Sequence, residues 1–226
     1  VLGTRLPGPG TVQIEQELMF PTATPTGEEV EIRVEVTAVR PAEGLADLTT
    51  LVIRPDGSNG LQGRTLVRPP HALAWPGSSS PTPAPPLPDS QPFKGLEVGQ
   101  SAATARTFTV ADLDEYADLT GDANPVIIDT DYARDRGLAG RLVPGGLLGG
   151  LFSDLLGTQL PGPGTNYLKQ RLRFPNPAYA EQELVASVKI VRLRPEKQLV
   201  NLSTACTDPS GRIVCQGEAL VLISDV

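Results

Sequence analysis

Apolar and polar residues alternate along residues 11–20 (TVQIEQELMF) and again along 29–39 (EVEIRVEVTAV), the period-two pattern of half-buried strands. The runs 45–54 (LADLTTLVIR) and 61–68 (LQGRTLVR) follow, parted by the turn signal Pro55-Asp56-Gly57. The same succession returns at 166–174, 183–192, 199–207 and 213–223. Each set of four predicts one antiparallel sheet. Between the sets the pattern changes. Residues 98–109 (VGQSAATARTFT) read as a strand. Residues 109–121 then read as a helix, with Thr109 as N-cap, Asp112 three residues on and Gly121 as terminator. Its apolar stripe is Val110, Leu113, Tyr116 and Ala117. A short helix is expected around 131–136. Residues 145–157 (GGLLGGLFSDLLG) form a helix that is apolar nearly all round and therefore buried, its glycines explained by close approach of a backbone or a ligand.

The two sets of strands are copies. LGTRLPGPGT at 2–11 recurs as LGTQLPGPGT at 156–165, an offset of 154 residues. That register holds without a gap for Phe20-Pro21 and Phe174-Pro175, for Arg40-Pro41 and Arg194-Pro195, and for Gln62-Gly63 and Gln216-Gly217. The first copy enters at the very end of what would be its central helix. Residue 1 is Val, inside the repeated motif, which points to a chain trimmed, processed or continued upstream.

Three units follow: a partial repeat of strands at 1–68, a Pro/Ser-rich linker at 69–92 and a complete unit at 93–226. The linker holds Trp75 and His71, the only histidine of the chain. An uncovered apolar sheet face in the partial repeat would not be stable alone, so it is expected to pack on the second unit or on another chain.

The net charge of −7 lacks the footprint of a nucleic-acid binder. No apolar run reaches the roughly 20 residues of a membrane span and no signal peptide opens the chain. Cytoplasm is the default compartment. Cys206 and Cys215 form no metal motif; they flank Pro209-Ser210-Gly211 and are read as reduced, buried thiols facing each other on a hairpin.

Two stretches carry a resemblance: FTVADLDEYADLTGDANPVIIDTDYA at 108–133 and GRLVPGGLLGGLFSDLLGTQLPGPGT at 140–165. They resemble the MaoC-like, (R)-specific enoyl-CoA hydratase/dehydratase family. The resemblance covers nearly all of 93–226 and, through the repeat, 2–68. It implies an α+β hot-dog fold, long antiparallel sheets around a central buried helix, in a tandem, double hot-dog-like arrangement whose first unit lacks its helical front. A pseudo-dimer within the chain, with further homodimerisation as an alternative, goes with it.

The resemblance also implies an acyl thioester substrate, with coenzyme A or an acyl carrier arriving as part of the substrate, and no separate cofactor or metal. In the family, Gly-Asp-x-Asn-Pro-x-His places a carboxylate and an imidazole about one water, which they add to or remove from an enoyl thioester. Gly121, Asp122, Asn124 and Pro125 match; Ile127 stands at the histidine position. At the head of the central helix, Pro144 replaces a histidine, while Gly145 keeps the backbone N–H for the thioester carbonyl. Leu147, Leu148, Leu151 and Phe152 are candidates for lining an acyl tunnel, with a core role as the alternative. Arg171 and Arg173, with Lys169, Arg192 and Arg194, are candidates for the carrier's phosphates, with solvated strand faces as the alternative.

Asp122 and Asn124 also have purely structural readings, a turn residue after Gly121 and an Asx turn before Pro125. Three functions follow: a hydratase or dehydratase using Asp122, a silent acyl-binding or structural half of a double hot dog, and a thioesterase-like hydrolase using Asp122.

Overall fold

A computed structural model describes residues 2–70 and 92–223. Most of the linker read at 69–92, with His71 and Trp75, lies outside the described residues. The strands are β1 (Val12–Met19), β2 (Glu31–Arg40), β3 (Leu45–Ile53), β4 (Asn59–Arg68), β5 (Ser101–Thr107), β6 (Thr165–Arg173), β7 (Glu183–Arg194), β8 (Leu199–Thr207) and β9 (Ile213–Ile223). The helices are α1 (Val110–Thr120), α2 (Pro125–Ile128), α3 (Thr130–Asp135) and α4 (Gly145–Thr158). Every strand read from the alternation is present within two or three residues of its expected ends. The four-residue α2 is an addition, too short for periodicity to reveal.

The two copies do not make separate sheets. All nine strands join in one antiparallel sheet ordered β2-β3-β4-β1-β6-β9-β8-β7-β5. Apart from β5 the order is symmetric about the β1–β6 seam. At that seam Glu17 lies opposite Arg171, the residue 154 positions on, and Glu15 opposite Arg173 balances Met19 opposite Lys169. Seam charges complement one another: Arg171 and Arg173 both bond Glu15, at 2.7 and 3.2 Å, and Lys169 pairs with Glu17.

The repeat extends to irregularities in the backbone. Register shifts fall between Gln13 and Glu15 and between Tyr167 and Lys169; between Val36 and Ala38 and between Ile190 and Arg192; between Val52 and Ile53 and between Cys206 and Thr207. Each pair is 154 residues apart. A bulge bends and twists its strand, so matching bulges give the two halves matching curvature. Gly63 and Gly217 are a further pair. A Cβ on either would collide with the carbonyl of Glu17 or Arg171 on the neighbouring strand.

Helix α4 packs against β5, β6 and β7, giving the hot-dog arrangement of a long sheet about a buried helix. Leu148, Phe152, Leu155 and Leu156 of α4 meet Leu184, Val188 and Ile190 of β7 and Leu172 of β6 in one core. The first copy is covered less well. Ala46, Leu48 and Val67 make a small core with Leu2, Leu6, Val34 and Val36. Strand β2 is half-covered only at Val34 and Val36, while Ile32 is 56% and Val39 65% exposed. Cover for this apolar face, expected from the second unit or another chain, therefore reaches only its inner part. Cys206 and Cys215 sit opposite each other on β8 and β9, buried and unbonded, as the hairpin reading requires.

Candidate active site

Helix α1 is bounded as its sequence requires. Thr109 Oγ1 accepts the Asp112 N–H at 3.1 Å, and Asp112 in turn accepts the Thr109 N–H at 2.7 Å. Gly121 ends the helix at φ 68°, in the left-handed region that favours glycine, and its N–H bonds Ala117 O. The chain then turns through Asp122 and Ala123. Asn124 caps α2, with Pro125 at its first position.

The Asn124 carboxamide is committed to backbone. Its Oδ1 accepts the Val126 N–H and the Gly10 N–H, the latter at 2.9 Å, and its Nδ2 donates to Thr11 O at 2.8 Å. Of its two sequence readings, the turn is the one the geometry carries, extended by a tether to the loop before β1. Within α2, Val126 and Ile127 turn inward and Ile128 outward. The Ile127 carbonyl accepts from Arg141 Nε, while Arg141 Nη2 pairs with Asp114. The Leu142 N–H bonds Val126 O at 2.9 Å. The segment after Asp122 is thus held from both sides.

Helix α4 begins at Gly145 behind Pro144, whose side chain makes no cap bond. Its first N–H groups carry the positive end of the helix dipole. Side chains crowd the glycines here: a Cβ on Gly145 would stand 2.5 Å from Gln13 Oε1, and one on Gly146 would stand 2.9 Å from the Tyr116 hydroxyl. At Gly150 nothing lies within 4 Å.

A cavity of about 440 Å³ opens at this point. Its walls combine Tyr116, Asp122 and Ile127 with Gly145, Gly146 and Leu148, and strand β1 supplies Gln13 and Gln16. The first copy thus closes one side of a site built mainly by the second. Asp122 Oδ1 is buried there without a hydrogen-bond partner. Burial pushes the Asp122 carboxyl above the ordinary carboxylate range, with the Asn124 backbone N–H acting weakly the other way. Burial pushes the Tyr116 phenol up to about 12, and the Asp122 charge adds to this. The Tyr167 hydroxyl is also buried without a partner in the same cavity, and burial raises its pKa further.

The residues named from sequence divide as follows. Asp122, Asn124 and Gly145 are brought together in the cavity wall, and Ile127, only 4% exposed, lines it where the family's imidazole would stand. Leu148 lines it as well. Phe152 is core, and Leu147 and Leu151 pack at the core's edge, so these three fit the alternative reading. Arg171 and Arg173 lie outside the cavity wall because β6 alternates: Gln170 and Leu172 turn inward and both arginines turn out to Glu15. The sequence marks Tyr116 only as part of the apolar stripe of α1 and gives Gln13, Gln16, Gln170 and Tyr167 no role. Their signal is a polar group at an inward position of a strand or stripe. Among the described residues no cluster of His, Cys, Asp and Glu could hold a metal ion, and no helix is long and apolar enough to cross a membrane.

A family model described as the MaoC like domain matches residues 94–207. The (R)-specific enoyl-CoA hydratase of Rhodospirillum rubrum is 38% identical over 131 residues, 58% of this chain and 90% of that protein. The mitochondrial 3-hydroxyacyl-[acyl-carrier-protein] dehydratase FERN of Solanum lycopersicum is 36% identical over 130 residues, 57% of this chain and 78% of that protein. Among solved structures, the (R)-hydratase from A. caviae involved in PHA biosynthesis is similar with a TM-score of 0.56 and 37% identity, over 58% of this chain and 99% of that one. A MaoC-like dehydratase shares the fold over 95% of this chain and 76% of its own, with a TM-score of 0.77 at 20% identity.

Proposed function

The chain belongs to the MaoC-like domain family, and from that premise we propose that it adds water to, or removes it from, an enoyl or 3-hydroxyacyl thioester, with Asp122 as its acid–base group. One observation carries this reading: a buried carboxylate oxygen without a partner, in a cavity at the uncapped start of α4. The thioester carbonyl would take the Gly145 N–H, where the helix dipole favours the charge that develops on its oxygen. Asp122 would take a proton from water as that water's oxygen bonds Cβ. Coenzyme A or an acyl carrier comes with the substrate, and the reaction needs no further cofactor.

The units 1–68 and 93–226 are read as the two halves of one pseudo-dimer. The symmetric seam about Glu17 and Arg171 and the three pairs of matching bulges support this. Hydration of crotonyl-CoA, followed as loss of the enoyl absorbance, tests the chemistry. Asp122→Asn should slow it by about 10²–10⁴-fold. Equal rates for both proteins would refute the assignment.

A second reading is favoured by Ile127, an apolar side chain where the family pattern has its imidazole: the site binds acyl thioesters without turning them over. On that reading the native protein is inactive on crotonyl-CoA, and Ile127→His alone confers hydration.

A further inference from the structure

We propose that the Tyr116 phenol is the second catalytic group of this site, giving the proton to the substrate Cα that the missing imidazole cannot supply. This rests on the hydration reading above and completes it. Adding water needs two proton movements, one off the water and one onto Cα. Asp122 serves the first. Ile127 has no proton to give, and the only histidine of the chain, His71, lies in the linker.

Three observations point to Tyr116. It shares the cavity wall with Asp122 and Gly146. Its hydroxyl lies 2.9 Å from where a Cβ on Gly146 would sit, so it stands over the first turn of α4. A carbonyl held by the Gly145 N–H puts Cα, the next carbon of the acyl chain, beside that turn. Burial first, and then the Asp122 charge, push the phenol up to about 12, so it carries its proton at neutral pH. The other cavity hydroxyls are placed less well: Thr11 donates to Gly8 O at 2.7 Å. Ser153 is seven residues further along α4, a rise of about 10 Å. Tyr167 lies against Phe20, ring centres 5.7 Å apart, on the sheet side.

The step balances. Water loses a proton to Asp122 and its oxygen bonds Cβ, while the π pair moves toward Cα and the thioester oxygen. The phenolic O–H then breaks as the Cα–H bond forms. The phenolate recovers its proton from Asp122, directly or through water. Water is the only reactant consumed, and both side chains return to their starting state.

Tyr116→Phe tests this with little change of volume. Crotonyl-CoA hydration should fall about 10²–10⁴-fold. Exchange of the Cα proton of 3-hydroxybutyryl-CoA in D₂O should be lost with it. Binding of butyryl-CoA and the melting temperature should stay near their unsubstituted values. If Tyr116→Phe keeps rate and exchange while Asp122→Asn abolishes them, the proposal fails and the hydration reading stands. A loss of rate matched by equal loss of butyryl-CoA binding or of the folded state also overturns it, leaving Tyr116 a packing residue. A native protein without turnover, unaltered by Asp122→Asn, overturns the hydration reading and this inference together.

Discussion

Asn124 and Gly10 are 114 residues apart, and the Asn124 Oδ1 accepts the Gly10 N–H at 2.9 Å in a buried setting. With Nδ2 donating to Thr11 O, the carboxamide joins the Asp122 corner of one copy to the loop that opens the other. Asn124→Ala would leave a buried donor and a buried acceptor without partners and would also remove the cap of α2. A loss of about 2–4 kcal/mol is expected, read as a lower denaturant midpoint. Gly3→Ala should act at the same joint, since its Cβ would fall 2.4 Å from Asn124 Nδ2. A midpoint unchanged in both variants would show that the tether contributes nothing.

The raised pKa of Asp122 fixes the sign of its effect on stability. The folded protein holds that proton more tightly than the unfolded chain. Its stabilising share is complete below the ordinary carboxylate value of 3.8 and is lost as pH rises through the elevated folded value. Asp122→Asn, which removes the buried charge, should therefore melt higher than the unsubstituted protein at pH 7. The margin should close as the pH falls below about 4. Thermal melts of both proteins at four or five pH values test this, and a margin independent of pH would contradict it. If Asp122 is the base proposed above, hydration activity should rise with pH along a limb above the ordinary carboxylate range.

Much of this was legible in the chain itself. Alternation, turn signals and the repeated register located the strands. Arg171 and Arg173 show where legibility ends. The pattern of β6 sets both on the face opposite Leu172, but their partner Glu15 becomes visible only once β1 is known to pair with β6. Asn124 reads as a turn residue from its place before Pro125. Its reach to Gly10 and Thr11 depends on a loop far away in sequence. Tyr116 shows the same limit at a single residue: a helical stripe records that the ring is inward and is silent on what its hydroxyl meets.

The two cysteines should be chemically silent in the folded protein. Burial pushes the Cys206 thiol up to about 12 and Cys215 well above its ordinary value, with its neighbour Cys206 adding to the effect. Iodoacetamide at pH 8 should label neither under native conditions and both in 6 M guanidinium, counted by mass. Native labelling at either position would contradict the packing of β8 on β9.

Val39 and Leu193 occupy the same place in the repeat, one residue after the second position of matching bulges in β2 and β7, yet their surroundings differ. Leu193 is 4% exposed in the main core; Val39 is 65% exposed on an edge strand with only β3 beside it. Truncation to alanine should separate them. Leu193→Ala removes methyl groups that other side chains surround and leaves a cavity, at about 2–5 kcal/mol. Val39→Ala changes a side chain already in water and should stay within about 0.5 kcal/mol. The repeat thus supplies its own control, since backbone geometry is matched and only the cover differs. A cost of 2 kcal/mol or more at Val39, measured by denaturant unfolding and dependent on protein concentration, would show that a second copy buries β2 in solution.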